Sequence, residues 1–80
     1  MRVTEDLADA LARDVLEAVE TLGDDTLIDA IAKTLGSSSS VTQDAFMTAI
    51  RVRTAEARAR KLLNERLRKA LADRKPADPA

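Results

Sequence analysis

Apolar residues recur every three or four positions in the first third of the chain, the spacing at which side chains share one face of an α-helix. They are Leu7, Leu11, Val15, Ala18, Val19 and Leu22. Thr4 precedes this run, and its hydroxyl can accept a hydrogen bond from a free N–H group at a helix start. Gly23 follows the run and suits the left-handed conformation that ends many helices. The pattern predicts a first helix over residues 5–22.

A second apolar run is shorter and has the same spacing. Its members are Leu27, Ile28, Ile31 and Leu35. Asp24 and Asp25 stand before the run, where a carboxylate can cap a helix, and Gly36 stands after it, where a glycine commonly ends one. We expect a second helix over about residues 25–35.

The rest of the chain is typical of one long helix. Ser40 and Gln43 have the spacing of a capping box, in which two side chains bond the backbone at a helix start. From there to Pro76 the chain has neither glycine nor proline and is rich in Ala, Leu, Arg, Lys and Glu, all strong helix formers. The predicted third helix covers residues 41–74 and is ~50 Å long at ~1.5 Å per residue.

An apolar seam follows the predicted third helix in steps of three and four residues, as in helix-packing interfaces. It runs through Val41, Ala45, Ala49, Val52, Ala55, Ala59, Leu62 or Leu63, Leu67 and Ala70. Phe46 and Ile50 widen the seam near its start, where the first two helices are expected to pack. The first helix is only ~27 Å long, so it cannot cover the whole seam.

The uncovered part of the seam predicts a homo-oligomer, because a bare row of leucines is unfavourable in water. The expected contact residues are Val52, Ala55, Ala59, Leu62, Leu63, Leu67 and Leu71. The predicted fold is all-α, with two short helices packed on the start of one long C-terminal helix. The arrangement is expected to be antiparallel, hairpin-like or coiled-coil-like, and oligomeric. Residues 1–75 would form a single helical domain, and residues 76–80 a disordered tail.

The composition narrows the chemistry that the chain can carry out. It has no cysteine, no histidine and a single aromatic residue, Phe46. Thiol nucleophiles, disulfides, zinc–thiolate sites and the commonest general base are therefore excluded. No nucleophile has an evident base and no glycine-rich phosphate loop is present. We expect a protein that is not an enzyme and has no catalytic residues, no metal site and no cofactor.

Segments that cross a membrane are not expected. The chain contains no run of ~18 apolar residues, the length that a membrane-spanning helix needs. Its first residues lack the cationic and apolar regions of a signal peptide. Together with the absence of cysteine, this pattern favours a cytoplasmic protein with no membrane partner.

Charge is distributed unevenly along the chain. Residues 1–50 hold three basic and ten acidic side chains, a net charge of −7, whereas residues 51–75 hold ten basic and three acidic ones, a net charge of +7. Such asymmetry points to nucleic acid or to an acidic protein surface. Alternatively, the basic residues balance the acidic first helix, within the chain or across an oligomer.

Basic side chains along the third helix could follow a DNA backbone without reading bases. The predicted phosphate contacts are Arg51, Arg53, Arg58, Arg60, Lys61, Arg66, Arg68 and Lys69. Another interpretation starts from the segment Ile31–Ser38, which resembles the first helix and turn of a helix-turn-helix DNA reader. There, however, Ser37 takes the place of the usual apolar residue, and the next helix opens with Asp44 and few base-reading donors. Despite these departures, a sequence-reading transcription regulator remains one alternative.

The stretch Gly36–Arg53 leads into a helix rich in alanine and arginine. In this general pattern of residues, residues 24–70 resemble the small terminase (DNA-packaging) subunits of phage-like gene transfer agents. The resemblance implies a ring-forming helical oligomer that recruits double-stranded DNA and hands it to a large terminase-like ATPase/nuclease. It also implies DNA binding that is weak and tolerant of sequence.

A protein-interaction module is a further alternative. An antitoxin, a secretion chaperone or an assembly adaptor would place its long helix against an acidic or apolar groove of a partner protein. Such a module would not bind DNA even at low salt, which separates it from the DNA-recruiting adaptor.

Overall fold

The computed structural model describes residues 2–74, and this part of the chain consists of three α-helices joined by short connections. They are α1 (Val3–Leu22), α2 (Thr26–Ser38) and α3 (Ser40–Asp73). The all-α prediction is confirmed, and the bounds of α1 and α3 lie within two residues of the predicted ones. None of these helices is long and apolar enough to cross a lipid bilayer. The predicted disordered tail over residues 76–80 lies outside the described residues.

The two longest helices, α1 and α3, run side by side in the same direction. Thr4 and Val41 line one groove near the start of both helices, and Glu20 and Lys61 line another near the end of α1. Between these grooves the α1 residue Asp9 is paired with an arginine of α3. The short helix α2 returns the chain from the end of α1 to the start of α3. The predicted antiparallel relation therefore holds for consecutive helices, whereas α1 and α3 are parallel.

The core lies where α1, α2 and the first turns of α3 meet. Its buried residues are Ala8, Ala12, Val15, Ala32, Phe46 and Ile50. Phe46 is completely buried, at 0% exposure, and the predicted apolar face of α2 packs half-buried against this cluster. The prediction that the first two helices pack around Phe46 and Ile50 is confirmed. No residue after Ile50 is buried in the described part of the chain.

The face that α1 buries is centred on alanines rather than on the predicted leucines. Leu7 and Leu22 are 66% and 68% exposed, so their assignment to the inner stripe is wrong. Ala8 and Ala12 take their place in the core. Small side chains at a helix contact reduce the distance between the two axes, and these two alanines therefore allow α1 to lie close to α3.

The first two helices begin differently from the prediction. α1 starts at Val3 without a side-chain cap, so Thr4 does not cap it. Before α2, the carboxylate of Asp24 accepts hydrogen bonds from the backbone N–H of Thr26 at 3.0 Å and from its hydroxyl at 2.6 Å. Asp25 makes no such side-chain bond. The capping role that the sequence left open between the two aspartates thus belongs to Asp24.

A single residue, Ser39, connects α2 to α3 and caps the long helix. Its backbone is extended, and its hydroxyl oxygen accepts the N–H of Thr42 at 3.1 Å. The predicted cap, Ser40, is instead the first residue of α3. Gln43 does not complete a capping box either, because its side-chain amide donates to the carbonyl of Ala32 at 3.0 Å. This bond ties α3 to α2.

The two glycines have different roles. Gly23 has a φ of +67° and ends α1 as predicted, with its N–H bonded to the carbonyl of Val19. Gly36 was expected to end α2, but the helix continues to Ser38, so this expectation is wrong. A Cβ atom at Gly36 would lie 2.6 Å from the side-chain nitrogen of Gln43. Glycine at this position makes room for the amide that joins the two helices.

The molecule is elongated because α3 extends beyond the core. Its radius of gyration is 18.6 Å and its longest dimension is 68 Å, whereas a compact domain of this length would have a radius of gyration of ~12 Å. We call residues 2–54 the head and residues 55–74 the distal segment. All the buried residues belong to the head.

Candidate nucleic-acid interface

Every residue of the distal segment is exposed. The segment is helical up to Asp73 and lacks glycine and proline. Its helical structure therefore follows from helix propensity and not from packing. It carries seven basic and three acidic side chains, a net charge of +4, whereas the head carries five basic and ten acidic ones, a net charge of −5. The predicted separation of charge along the chain therefore becomes a separation in space.

One face of α3 changes character along its length. At ~100° per residue, Ala57, Lys61, Asn64 and Arg68 all lie within ~40° of the direction of Ile50. The side that is buried as Ile50 in the head thus continues as a polar and basic surface beyond Ala57. Since α1 ends beside Lys61, no helix of the described chain covers this surface further along.

Five exposed cations lie within an arc of ~100° that begins on this side of α3, and we call them the basic face. They are Arg51, Arg58, Lys61, Arg68 and Lys69. None of them forms an ion pair with another residue between 2 and 74. They span residues 51–69 of the helix, so they form a ladder ~27 Å long. A phosphate backbone is the natural complement of such a ladder.

Arg53 is a correction to the predicted phosphate contacts. Its Nε donates to Asp9 Oδ1 at 2.6 Å and its Nη2 to Asp9 Oδ2 at 2.8 Å. These hydrogen bonds lower the pKa of Asp9 and raise the pKa of Arg53 relative to their ordinary values. Arg53 therefore joins α3 to α1 and is not available as part of the ladder. For this residue, the alternative that basic side chains balance the acidic first helix is the correct one.

The other two predicted contacts, Arg60 and Arg66, lie outside the arc of the basic face. Arg60 pairs with Glu56 one turn earlier, at 2.5 Å, and both side chains are more than half exposed. Exposed pairs of this kind contribute little to stability, so the Arg60 charge remains accessible. Arg66 is exposed and points ~160° away from Arg68. The eight predicted residues thus encircle the helix, and five of them share a face.

An exposed apolar stripe follows the side of α3 opposite the basic face, and we call it the outer stripe. It consists of Val52, Ala59, Leu63, Leu67 and Ala70, which lie within ~40° of the direction of Leu63. Val52 is 61% exposed, and Leu63 and Leu67 are each 52% exposed. The stripe lies ~140° from Ile50, so it is separate from the surface that α1 and α2 cover.

The predicted oligomer contacts fall into two groups on this surface. Val52, Ala59, Leu63 and Leu67 belong to the outer stripe, whereas Ala55, Leu62 and Leu71 lie ~80–100° to either side of Leu63. All seven are exposed. They therefore form a broad band rather than the single narrow seam expected from the sequence. The sequence also assigned Phe46 to this seam, whereas Phe46 lies on a different side of α3 and faces the core.

Acidic groups adjoin the basic face at more than one point in the described chain. Glu65 lines a groove together with Lys61 and Arg68. Leu16 and Glu20 of α1 line a shallow groove together with Arg58 and Lys61 of α3. Glu20 stands close enough to oppose a phosphate at this end of the ladder. Between residues 2 and 74, no group of three or more carboxylates is placed to hold a metal ion.

The connection between α2 and α3 does not match a helix-turn-helix DNA reader. Such motifs join their helices by a turn of ~3–4 residues, whereas Ser39 is the only residue between these helices. From Ser40 to Ile50, α3 carries Asp44 and no basic side chain. This part of the helix has no cationic side chain with which to hold a phosphate or read guanine.

Comparisons with protein-family models, with curated proteins and with solved structures found no match for this chain.

Proposed function

We propose that the protein is a non-catalytic, oligomeric adaptor that recruits double-stranded DNA through the basic face of its long helix. The observation that supports this most is the ladder itself, in which Arg51, Arg58, Lys61, Arg68 and Lys69 lie exposed on one side of a straight element. No acid between residues 2 and 74 neutralises these five charges by ion pairing. Arg68 and Lys69 lie beyond the end of α1, whereas Arg58 and Lys61 adjoin Glu20 of the head.

The composition of the ladder argues for phosphate contacts without base reading. Sequence readers place asparagine, glutamine or arginine side chains at a groove edge with a defined orientation. Here the side chains between the cations are Thr54, Ala57, Asn64 and Glu65, and among these only Asn64 is of a type that commonly reads bases. Binding is therefore expected to be similar for unrelated duplexes and strongly dependent on salt.

A single ladder would bind weakly, and oligomerisation is expected to compensate. Five phosphate contacts per subunit correspond to a slope of ~−4.5 in log K against log salt concentration. Joining two or more ladders in one particle raises their effective concentration on the same duplex. The outer stripe, on the opposite side of the helix, can form the subunit contact without occupying the basic face.

Transfer of the DNA to a large terminase-like ATPase/nuclease is the part of the proposal that rests on the resemblance of the Gly36–Arg53 stretch to small terminases. It places the adaptor in the cytoplasm beside a packaging motor. Stimulation of the DNA-dependent ATPase activity of such a motor by the full chain would support this step. A motor that responds equally to DNA with and without the adaptor would contradict it.

DNA recruitment is tested by fluorescence anisotropy with two 30-base-pair duplexes of unrelated sequence at several salt concentrations. The variant Arg58→Gln with Lys61→Gln and Arg68→Gln should lose most of its affinity for both duplexes. The matched control, Arg2→Gln with Arg13→Gln and Lys33→Gln, removes the same charge from the head and should bind like wild type. Equal affinities of the two triple variants would overturn the proposal. Binding to only one duplex would favour a sequence reader, and no binding by wild type would favour a protein-interaction module.

A further inference from the structure

A groove between α1 and α3 adjoins the head end of the outer stripe. On the α1 side it is lined by Thr4, Glu5 and Asp9, and on the α3 side by Val41, Asp44, Ala45, Thr48 and Ala49. Its surface is mainly apolar, and three carboxylates stand around it. Ala45 and Ala49 lie within ~40° of the direction of Leu63. The groove and the outer stripe therefore form one continuous surface along α3.

The two ends of this surface are complementary in size. In the head it presents alanines, Ala45 and Ala49, on the floor of a groove. In the distal segment it presents leucines, Leu63 and Leu67, on a helix with no neighbour in the described chain. A surface that is small and concave at one end and large and convex at the other fits a second copy of itself in the reversed direction.

The two ends are also complementary in charge. Glu5, Asp9 and Asp44 stand around the groove, in a head with a net charge of −5, whereas the distal segment has a net charge of +4. Parallel packing of two copies would bring the two distal segments together and oppose charges of like sign. Antiparallel packing places each distal segment beside the acidic groove of the other copy, which is favourable.

We infer that two copies of the chain pack antiparallel along α3, with the two-fold axis near Ala59. In this register the residue numbers of facing positions sum to about 118, the value set by the two-fold position. Val52 then faces Leu67 of the second copy, and Thr48 faces Ala70 of the second copy. Ala70 and Leu71 of each copy then lie at the Thr48–Ala49 end of the groove between α1 and α3 of the other. An isologous contact of this kind closes on itself.

This arrangement leaves the basic face outside the contact, because its five residues lie ~120–160° from Leu63. Two ladders would then run in opposite directions on the outer surfaces of the paired helices. The inference deepens the oligomeric part of the proposed function and rests on that part alone. It does not require that the ladders bind DNA, so the two ideas can fail separately.

The direction of packing is tested by cysteine cross-linking, for which the chain is well suited because it contains no cysteine. Full-length Thr48→Cys and Ala70→Cys variants, one of them carrying a mass tag, are mixed and oxidised. Both positions are exposed in the single chain. Antiparallel packing gives the mixed 48–70 disulfide as the main product. A main product that joins 70 to 70 or 48 to 48 overturns the inference, and so does the absence of any cross-linked product.

The surface itself is tested by light scattering on two matched double variants. Leu63→Gln with Leu67→Gln should reduce the particle to the 8.7 kDa monomer, while circular dichroism shows the head still folded. Lys61→Gln with Arg68→Gln changes the same turns on the opposite face and should keep the wild-type mass. A wild-type protein that is monomeric at 100 µM, or leucine variants that keep its mass, would overturn the inference. Loss of DNA binding in the lysine and arginine variant, with its mass unchanged, concerns the proposed function only.

Discussion

The head and the distal segment differ although one continuous helix belongs to both. In the head, α3 contacts two other helices and buries Phe46 and Ile50. In the distal segment the same helix has leucines at helical spacing and buries none of them. The contrast teaches that periodic apolar residues show which face of a helix will be covered, but not whether its own chain covers it.

The difference extends to the forces that hold each region. The head is fixed by a small apolar core, by the Gln43 amide on the Ala32 carbonyl, and by the ion pair between Asp9 and Arg53. The distal segment depends on helix propensity, and an isolated helix of ~20 residues is marginal in water. Its order should therefore depend on what packs against it. The predictions below test this difference.

The largest expected difference is in hydrogen exchange. In the variant Leu63→Gln with Leu67→Gln, backbone amides of residues 62–73 should exchange ~100-fold faster than those around Val15 and Ile50, because the former open by local fraying and the latter by unfolding of the core. Exchange followed by mass spectrometry measures this ratio. Equal protection in the two regions would show that the distal segment has a neighbour within its own chain.

Substitutions should also divide the molecule by stability. Phe46→Ala removes the one large side chain that is fully buried and should lower the free energy of unfolding by ~3–5 kcal/mol, enough to unfold much of a domain this small. Asn64→Ala, in the distal segment, should change it by less than ~0.5 kcal/mol. Urea unfolding followed by circular dichroism gives both values. Comparable losses for the two variants would contradict the division into head and distal segment.

A smaller effect is expected at the junction of α2 and α3. Gly36→Ala should gain ~1 kcal/mol of helix propensity, but its Cβ displaces Gln43 and the bond to Ala32, worth ~0.5–1.5 kcal/mol. The single change is therefore expected to be nearly neutral. In a Gln43→Ala background, where that bond is already absent, Gly36→Ala should stabilise by ~1 kcal/mol. A double-mutant cycle with no coupling between positions 36 and 43 would show that Gly36 is not required to make room for the Gln43 amide.

The smallest effect concerns the Asp9–Arg53 pair and appears at low pH. The pKa of Asp9 is lower in the folded protein than its ordinary value of 3.8, chiefly because Arg53 donates hydrogen bonds to it. The pair therefore contributes its full stability above pH 3.8, and this contribution is lost as the pH falls through the lowered value. The difference in urea midpoint between wild type and Asp9→Asn should shrink over that interval. A difference that stays constant from pH 7 to pH 2 would contradict the pairing.

Much of the fold could be predicted from the sequence because its helices are punctuated locally. Gly23 at a positive φ and the long run without glycine or proline place α1 and α3 within two residues. Caps were less certain, because four serines in a row offer equivalent hydroxyls. Only the extended backbone of Ser39 shows which one accepts the N–H of Thr42. Gly36 was misinterpreted because the reason for it lies across space, in Gln43.

The candidate site could be predicted as a list of residues but not as a surface. Charge counting found Arg51, Arg58, Lys61, Arg68 and Lys69, and it included Arg53 on equal terms. Arg53 is excluded from the phosphate contacts because it pairs with Asp9, which is 44 residues away in the chain. A local sequence pattern does not show a contact over such a separation. The outer stripe was likewise merged with Phe46 and Ile50, since a sequence shows spacing along a helix but does not show which neighbour lies on which side.

Because α3 continues without a break from the head into the distal segment, it fixes the rotation of the distal side chains about the helix axis relative to those of the head. Inserting or deleting one residue between Ile50 and Arg58 would turn everything beyond it by ~100° about the helix axis. The cations would rotate away from their present side and the leucines would no longer align with the alanines of the head. A change of seven residues would leave the orientation nearly unaltered, within ~20°. The length of this stretch therefore carries information that its individual side chains do not.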